Sequence, residues 1–170
     1  MFYIDLLQGT QSKTKVLKAV SYIGSSKVKF DKFILEFTNA EGRDLQKLAW
    51  IIGTIVDYCP HLIFPHVETL LIKLKDPCHD AVKRNVMRAI DKAPLHKDHI
   101  GLAADLAFKI LDDRSEKVAV RVFCMSILLK ICTLEPDLAP ELVEILKYHM
   151  PHESAGFKSR ASKIIKILNI

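Results

Sequence analysis

The chain has 170 residues, 49% of them hydrophobic and 26% charged, with a formal net charge of +5. That is enough apolar material for one domain with a continuous core, and the modest positive excess admits an acidic partner without demanding one. Its longest apolar stretches are broken by charge well short of ~18 residues, which excludes a membrane span, and the opening MFYIDLLQGTQSKTK lacks the cationic start and apolar run of a signal peptide.

Proline and glycine number only 7 and 6, and no segment alternates apolar and polar residues long enough to argue for strands, so the fold is expected to be all-α. In chain order, Ser12 is a capping type ahead of a short stripe of Val16, Val20 and Ile23 that stops near Gly24. A second stripe, Phe30, Phe33 or Ile34, and Phe37, ends between Asn39 and Gly42. Further starts are read at Asp44, at Asp76 to Pro77, between Asp112 and Ser115, and at Ser154, with stops near Pro60, Pro94 and Pro136. The four cysteines, Cys59, Cys78, Cys124 and Cys132, form no CxxC pair. Cys124 and Cys132 fall in an apolar helical run, where a thiol acts as a small hydrophobe. All four are read as reduced, which suits a cytoplasmic location.

Repetition emerges when the chain is written from Asp44, Ala81, Ala119 and Gly156, which stand 37, 38 and 37 residues apart. One position on come Leu45, Val82, Val120 and Phe157; five on, Ala49, Val86, Cys124 and Ala161; eight on, Ile52, Ala89, Ile127 and Ile164; twelve on, Val56, Ala93, Ile131 and Leu168. These offsets trace one face of an α-helix, so each unit is expected to bury the same stripe. Between these helices lie partners carrying Ile72-Lys73-Leu74, Phe108-Lys109-Ile110 and Leu146-Lys147-Tyr148. Every unit is therefore a helical hairpin, and hairpins at this period stack because none can bury its stripe alone.

The stretch DPCHDAVKRNVMRAI, Asp76 to Ile90, resembles the second half of a HEAT repeat, in which Asp-Pro ends the first helix and a Val-Arg or Val-Lys pair opens the second. Here Val82-Lys83 and Val120-Arg121 take the pair, Asp76 and Asp113 take the turn, and the last unit has Phe157-Lys158 without the aspartate. The resemblance implies an all-α, right-handed α-α superhelix (a HEAT/ARM-like solenoid) of about four to five hairpins. A single domain over 1–170 follows, with 1–43 an atypical terminal cap and 44–170 regular repeats. Together with RDLQKLAWIIG, KVAVRVFCMSIL and SAGFKSRASKIIKIL it is also similar to short bacterial HEAT-like proteins, some labelled adenylosuccinate lyase.

That label implies a loop resembling Gly-Ser-Ser-x-Met-Pro-x-Lys-x-Asn. Gly24 to Lys32, GSSKVKFDK, has Val28 and Lys29 where Met and Pro belong and Asp31 in place of the Lys, and reads as a turn. Histidines His61, His66, His79, His96, His99, His149 and His152 match no zinc-binding spacing, so neither a metal nor another cofactor is expected. With no nucleophile beside a base and no phosphate loop, neither catalysis nor a small-molecule substrate is expected.

Charge placement carries the functional reading. The second-helix segments 44–58, 81–93, 118–133 and 157–170 carry −1, +3, +2 and +4, which leaves −3 for the rest of a +5 chain. In solenoids these helices line the concave wall where partners bind. Lys83, Arg121 and Lys158 sit at the stripe's edge, and the resemblance implies a structural ladder in which they pair with turn aspartates such as Asp76 and Asp113. Lys47, Arg84, Arg88, Lys163 and Lys166 point away from the stripe and are the candidates for partner contact. A solvated face is the plain alternative. The functional expectation is a scaffold that binds a protein with an acidic surface. Nucleic acid is the rival, opposed by the single Trp50 and the lack of an aromatic ladder. Should the basic face be inert, Val122 or Met125 of the apolar helix 118–132 offers the next surface to consider.

Overall fold

The computed structural model describes residues 2–9 and 12–169. Among them are ten α-helices and no strand: α1 Phe2–Leu6, α2 Lys13–Ile23, α3 Lys27–Asn39, α4 Gly42–Ile55, α5 Val67–Lys73, α6 Asp80–Lys92, α7 Lys97–Asp112, α8 Val118–Leu134, α9 Ala139–His149 and α10 Ala155–Leu168. They pair in sequence as five hairpins, α1–α2 through α9–α10. The helices cluster in two compact units, Met1–Leu95 and His96–Ile170.

In the first unit the second helices pack side by side, α4 lying against both α2 and α6. Ser12 and Ser26 cap α2 and α3, their hydroxyls accepting from the amides of Lys15 and Lys29. Gly24 ends α2 at φ 53°, a left-handed turn that glycine adopts without the steric penalty of a side chain. The segment GSSKVKFDK is therefore the α2–α3 turn and the start of α3, with Ser25 exposed and Ser26 used as a cap. Both early stripes are buried, from Val16 to Ile23 and from Phe30 to Phe37.

The second unit repeats the scheme with α8 against α7 and α10, and α9 against α7 and α10. Ser154 caps α10 by accepting from the Phe157 amide. Across both units the repeating stripe is buried at every position from Leu45 to Ile164, and only Leu168 is half-exposed. This constancy follows from the repeat, because each second helix leans on its own first helix with the same face.

Four boundaries differ from the sequence reading, the first being α4, which begins at Gly42 behind Glu41 rather than at Asp44. Helix α6 begins at Asp80 rather than at Asp76 to Pro77, because the His79 imidazole, not the aspartate, accepts the Ala81 amide. Helix α8 begins at Val118, beyond Ser115, since the Asp113 carboxylate folds back on the Ser115 amide and hydroxyl and closes a turn there. The short α1 carries no sequence-level start signal and is fixed instead by tertiary contacts, the Tyr3 amide donating to Glu36 and its hydroxyl to the Lys29 carbonyl.

Candidate functional site: the basic side chains of the second helices

The cations expected to meet a partner divide into paired and unpaired groups. Lys47 lies 3.1 Å from Asp44, one turn back on α4. Arg88 of α6 reaches Asp57 at 2.6 Å, and Lys92 contacts the other oxygen of the same carboxylate. Burial works to raise the Asp57 carboxyl, but the hydrogen bonds and charges of Lys92 and Arg88 overcome it and hold the group below its ordinary value of 3.8. Lys47 and Arg88, two of the candidates for partner contact, are thus paired within the chain. The acid that holds Arg88 is 31 residues away in sequence and comes from the preceding hairpin.

Arg84, Lys163 and Lys166 are exposed and have no ion pair among the described residues. Arg84 stands on α6 in the first unit; Lys163 and Lys166 stand on α10 in the second.

Arg121 has the most structured surroundings of the edge cations. Its side chain is 1% exposed, its Nε donates to the Leu111 carbonyl at 2.8 Å, and its Nη1 donates to Glu153. The guanidinium carbon lies 4.6 Å from the centre of the Phe157 ring, a cation–π contact in a desolvated place. Its carboxylate partner is Glu153, not the turn aspartate Asp113, whose oxygen is taken up by Ser115. Lys158 is exposed without an ion pair among the described residues, and so is Asp76, which borders a cavity of about 470 Å³ with Glu41, Lys73, His79 and Val82. Lys83 is half-buried. Of the edge cations, Arg121 pairs with Glu153 of the next hairpin.

Four of the seven histidines act as structural polar groups. His79 and His96 cap α6 and α7, His66 lies 2.9 Å from Asp31, and His149, 1% exposed, lies 2.8 Å from Asp112. Among the described residues no group of three metal-ligating side chains converges, and no helix is long and apolar enough to cross a membrane. Burial pushes the Cys124 and Cys132 thiols up. Met125 is fully buried and Val122 half-buried, so Met125 is not the exposed surface that the apolar run of α8 suggested.

Asp57, Glu153 and Lys147 are the residues that sequence reasoning missed here. The first two could have been found by looking for an opposite charge about one repeat away rather than one helical turn away. Lys147 faces a depression that is visible only once the α9–α10 turn is folded.

A family model described as a HEAT repeat domain matches residues 3–168. Neither a curated protein nor a solved structure matches the chain.

Proposed function

We infer, for a chain that belongs to the HEAT repeat family, that its unpaired second-helix cations dock an acidic protein surface. HEAT repeat domains are protein-interaction and scaffold modules, which is the general role of this one. The observation that supports the finer reading is the contrast between cations. Lys47, Arg88 and Arg121 are neutralised inside the chain, whereas Arg84, Lys163 and Lys166 are exposed without an ion pair among the described residues. Exposed, unpaired cations steer an anionic partner and add to its on-rate at low ionic strength. The role is non-catalytic, so the purified chain is expected to leave adenylosuccinate intact.

The test is affinity capture from native lysate with and without nuclease, using the wild-type chain and the Arg84→Glu, Lys163→Glu, Lys166→Glu triple variant. Recovery of one protein that survives nuclease, weakens with salt and is lost with the triple variant supports the reading. Recovery lost to nuclease transfers the surface to nucleic acid. Indifference to both salt and charge reversal overturns it.

A further inference from the structure

A second surface, independent of those cations, lies at the turn between α9 and α10. Lys147, Met150, Pro151 and Lys158 line a shallow, open depression of about 410 Å³. Its lining combines two apolar side chains with two lysines and contains no acid. Both lysines are exposed and have no ion pair among the described residues. Lys158 was expected to support the fold by pairing with a turn aspartate, yet its unit has none, and its side chain lines this depression, whose wall is almost wholly apolar.

The floor is held rigid from both sides. On the α9 side His149 is buried and bonded to Asp112 at 2.8 Å; on the α10 side Glu153 is gripped by the buried Arg121. Met150–His152 form a tight 3-10 turn between these anchors, closed by the Glu153 amide donating to the Met150 carbonyl at 3.3 Å, and Pro151 fixes its own φ. A preformed floor binds without an ordering cost of its own. Of the acids near in sequence, Glu153 is already held by Arg121, and Glu144, one turn before Lys147 on α9, makes no ion pair with it among the described residues.

We propose that this depression binds an extended acidic peptide segment that carries an apolar side chain, the apolar group seating on Met150 and Pro151 while flanking carboxylates meet Lys147 and Lys158. The open shape favours a chain passing across it over a small anion, which needs enclosure to bind tightly. Two lysines are point charges that accept carboxylates in many orientations, as a peptide of loosely fixed register requires.

The experiment is panning a displayed library of random short peptides against the full chain, followed by measurement of the enriched peptides by fluorescence polarisation. Enrichment of sequences joining acidic and apolar residues is expected. Lys147→Glu with Lys158→Glu should weaken them at least about tenfold, a loss typical of anchor contacts, and Met150→Ser should weaken them while leaving the helical circular dichroism unchanged. Lys147→Gln with Lys158→Gln, which introduces no repulsion, should give a smaller loss in the same direction. Lys163→Glu with Lys166→Glu should have no effect, which separates this site from the surface proposed above. The proposal is overturned if the library yields no acidic-apolar sequence, if all-acidic peptides bind equally well, or if binding ignores the Lys147 and Lys158 changes. It is equally overturned if vesicles of anionic lipid, and not peptides, are what those two lysines retain.

Discussion

Asn85 of α6 packs against Gly53 of α4 so closely that a β-carbon on the glycine would stand 2.3 Å from the Asn85 Oδ1 and 3.0 Å from its Cβ. The asparagine cannot simply swing aside, because it is buried and its Nδ2 donates to the Ala81 carbonyl at 2.8 Å. Gly53→Ala would normally favour a helix by about 1 kcal/mol. Here overpacking should outweigh that gain and leave a net loss of about 1 to 2 kcal/mol. Asn85→Ala in the same chain removes the obstructing amide, so urea unfolding of the double variant should recover much of the loss. An additive double variant would show that the two helices are not in contact there.

The buried pair of Arg121 and Glu153 should be costly to break from either side. Glu153→Gln leaves a guanidinium that is 1% exposed without its carboxylate, and removal of one partner of such a pair typically costs about 3 kcal/mol. Arg121→Met together with Glu153→Gln removes the stranded charge and should be less harmful than the sum of the two single changes. Denaturant midpoints of the three variants read this directly. A loss below about 1 kcal/mol in Glu153→Gln would place the pair with solvent-screened ones.

Asp57 gives stability a defined acid dependence. Its folded carboxyl is held below the ordinary 3.8, so as pH falls the unfolded chain takes up the proton first. The contribution is fully present above that ordinary value and is lost as pH drops through the lower folded one. Asp57→Asn should flatten the stability profile in that acid window. Because it also releases Arg88 and Lys92, it should strengthen capture of an acidic partner at low salt. Unchanged capture would place Arg88 and Lys92 outside the partner's reach.

Thiol chemistry offers a simple check on packing. Cys124 and Cys132 are buried and their thiols are pushed up by desolvation, which withholds the reactive thiolate. Cys59 and Cys78 are half-buried. A disulfide reagent at neutral pH should modify the latter two in the native chain and the former two only after denaturant is added. Four equal rates would contradict the burial of α8.

The stripe from Leu45 to Ile164 was readable in the sequence because helical burial is a local property: a residue's phase on its own helix decides whether it faces the core. Side-chain pairing is not local in that sense. Arg88 has few acids within reach along α6, yet the chain brings Asp57 to it from the preceding hairpin. Arg121 was expected to meet Asp113, eight residues back, and meets Glu153 in the next hairpin instead. Cap signals were legible where serine supplied them, at Ser12 and Ser154, and missed where histidine did, at His79.

From α3 onward, the described side-chain bonds that join one hairpin to the next each span 31 to 37 residues: Asp31 with His66, Thr38 with Lys73, Asp57 with Arg88 and Lys92, Asp112 with His149, Arg121 with Glu153, and Ser126 with Arg160. Each bond asks only about the neighbouring hairpin and nothing of more distant sequence. Duplicating a whole hairpin such as α7–α8 would keep every stripe in phase but would set one copy of Arg121 and Asp112 against a hairpin without Glu153 and His149, whereas inserting a few residues inside a helix would rotate its stripe out of phase. Growth by duplication therefore calls for new partners at the added seam, the buried Arg121 above all, while short in-frame insertions within helices disturb the core directly.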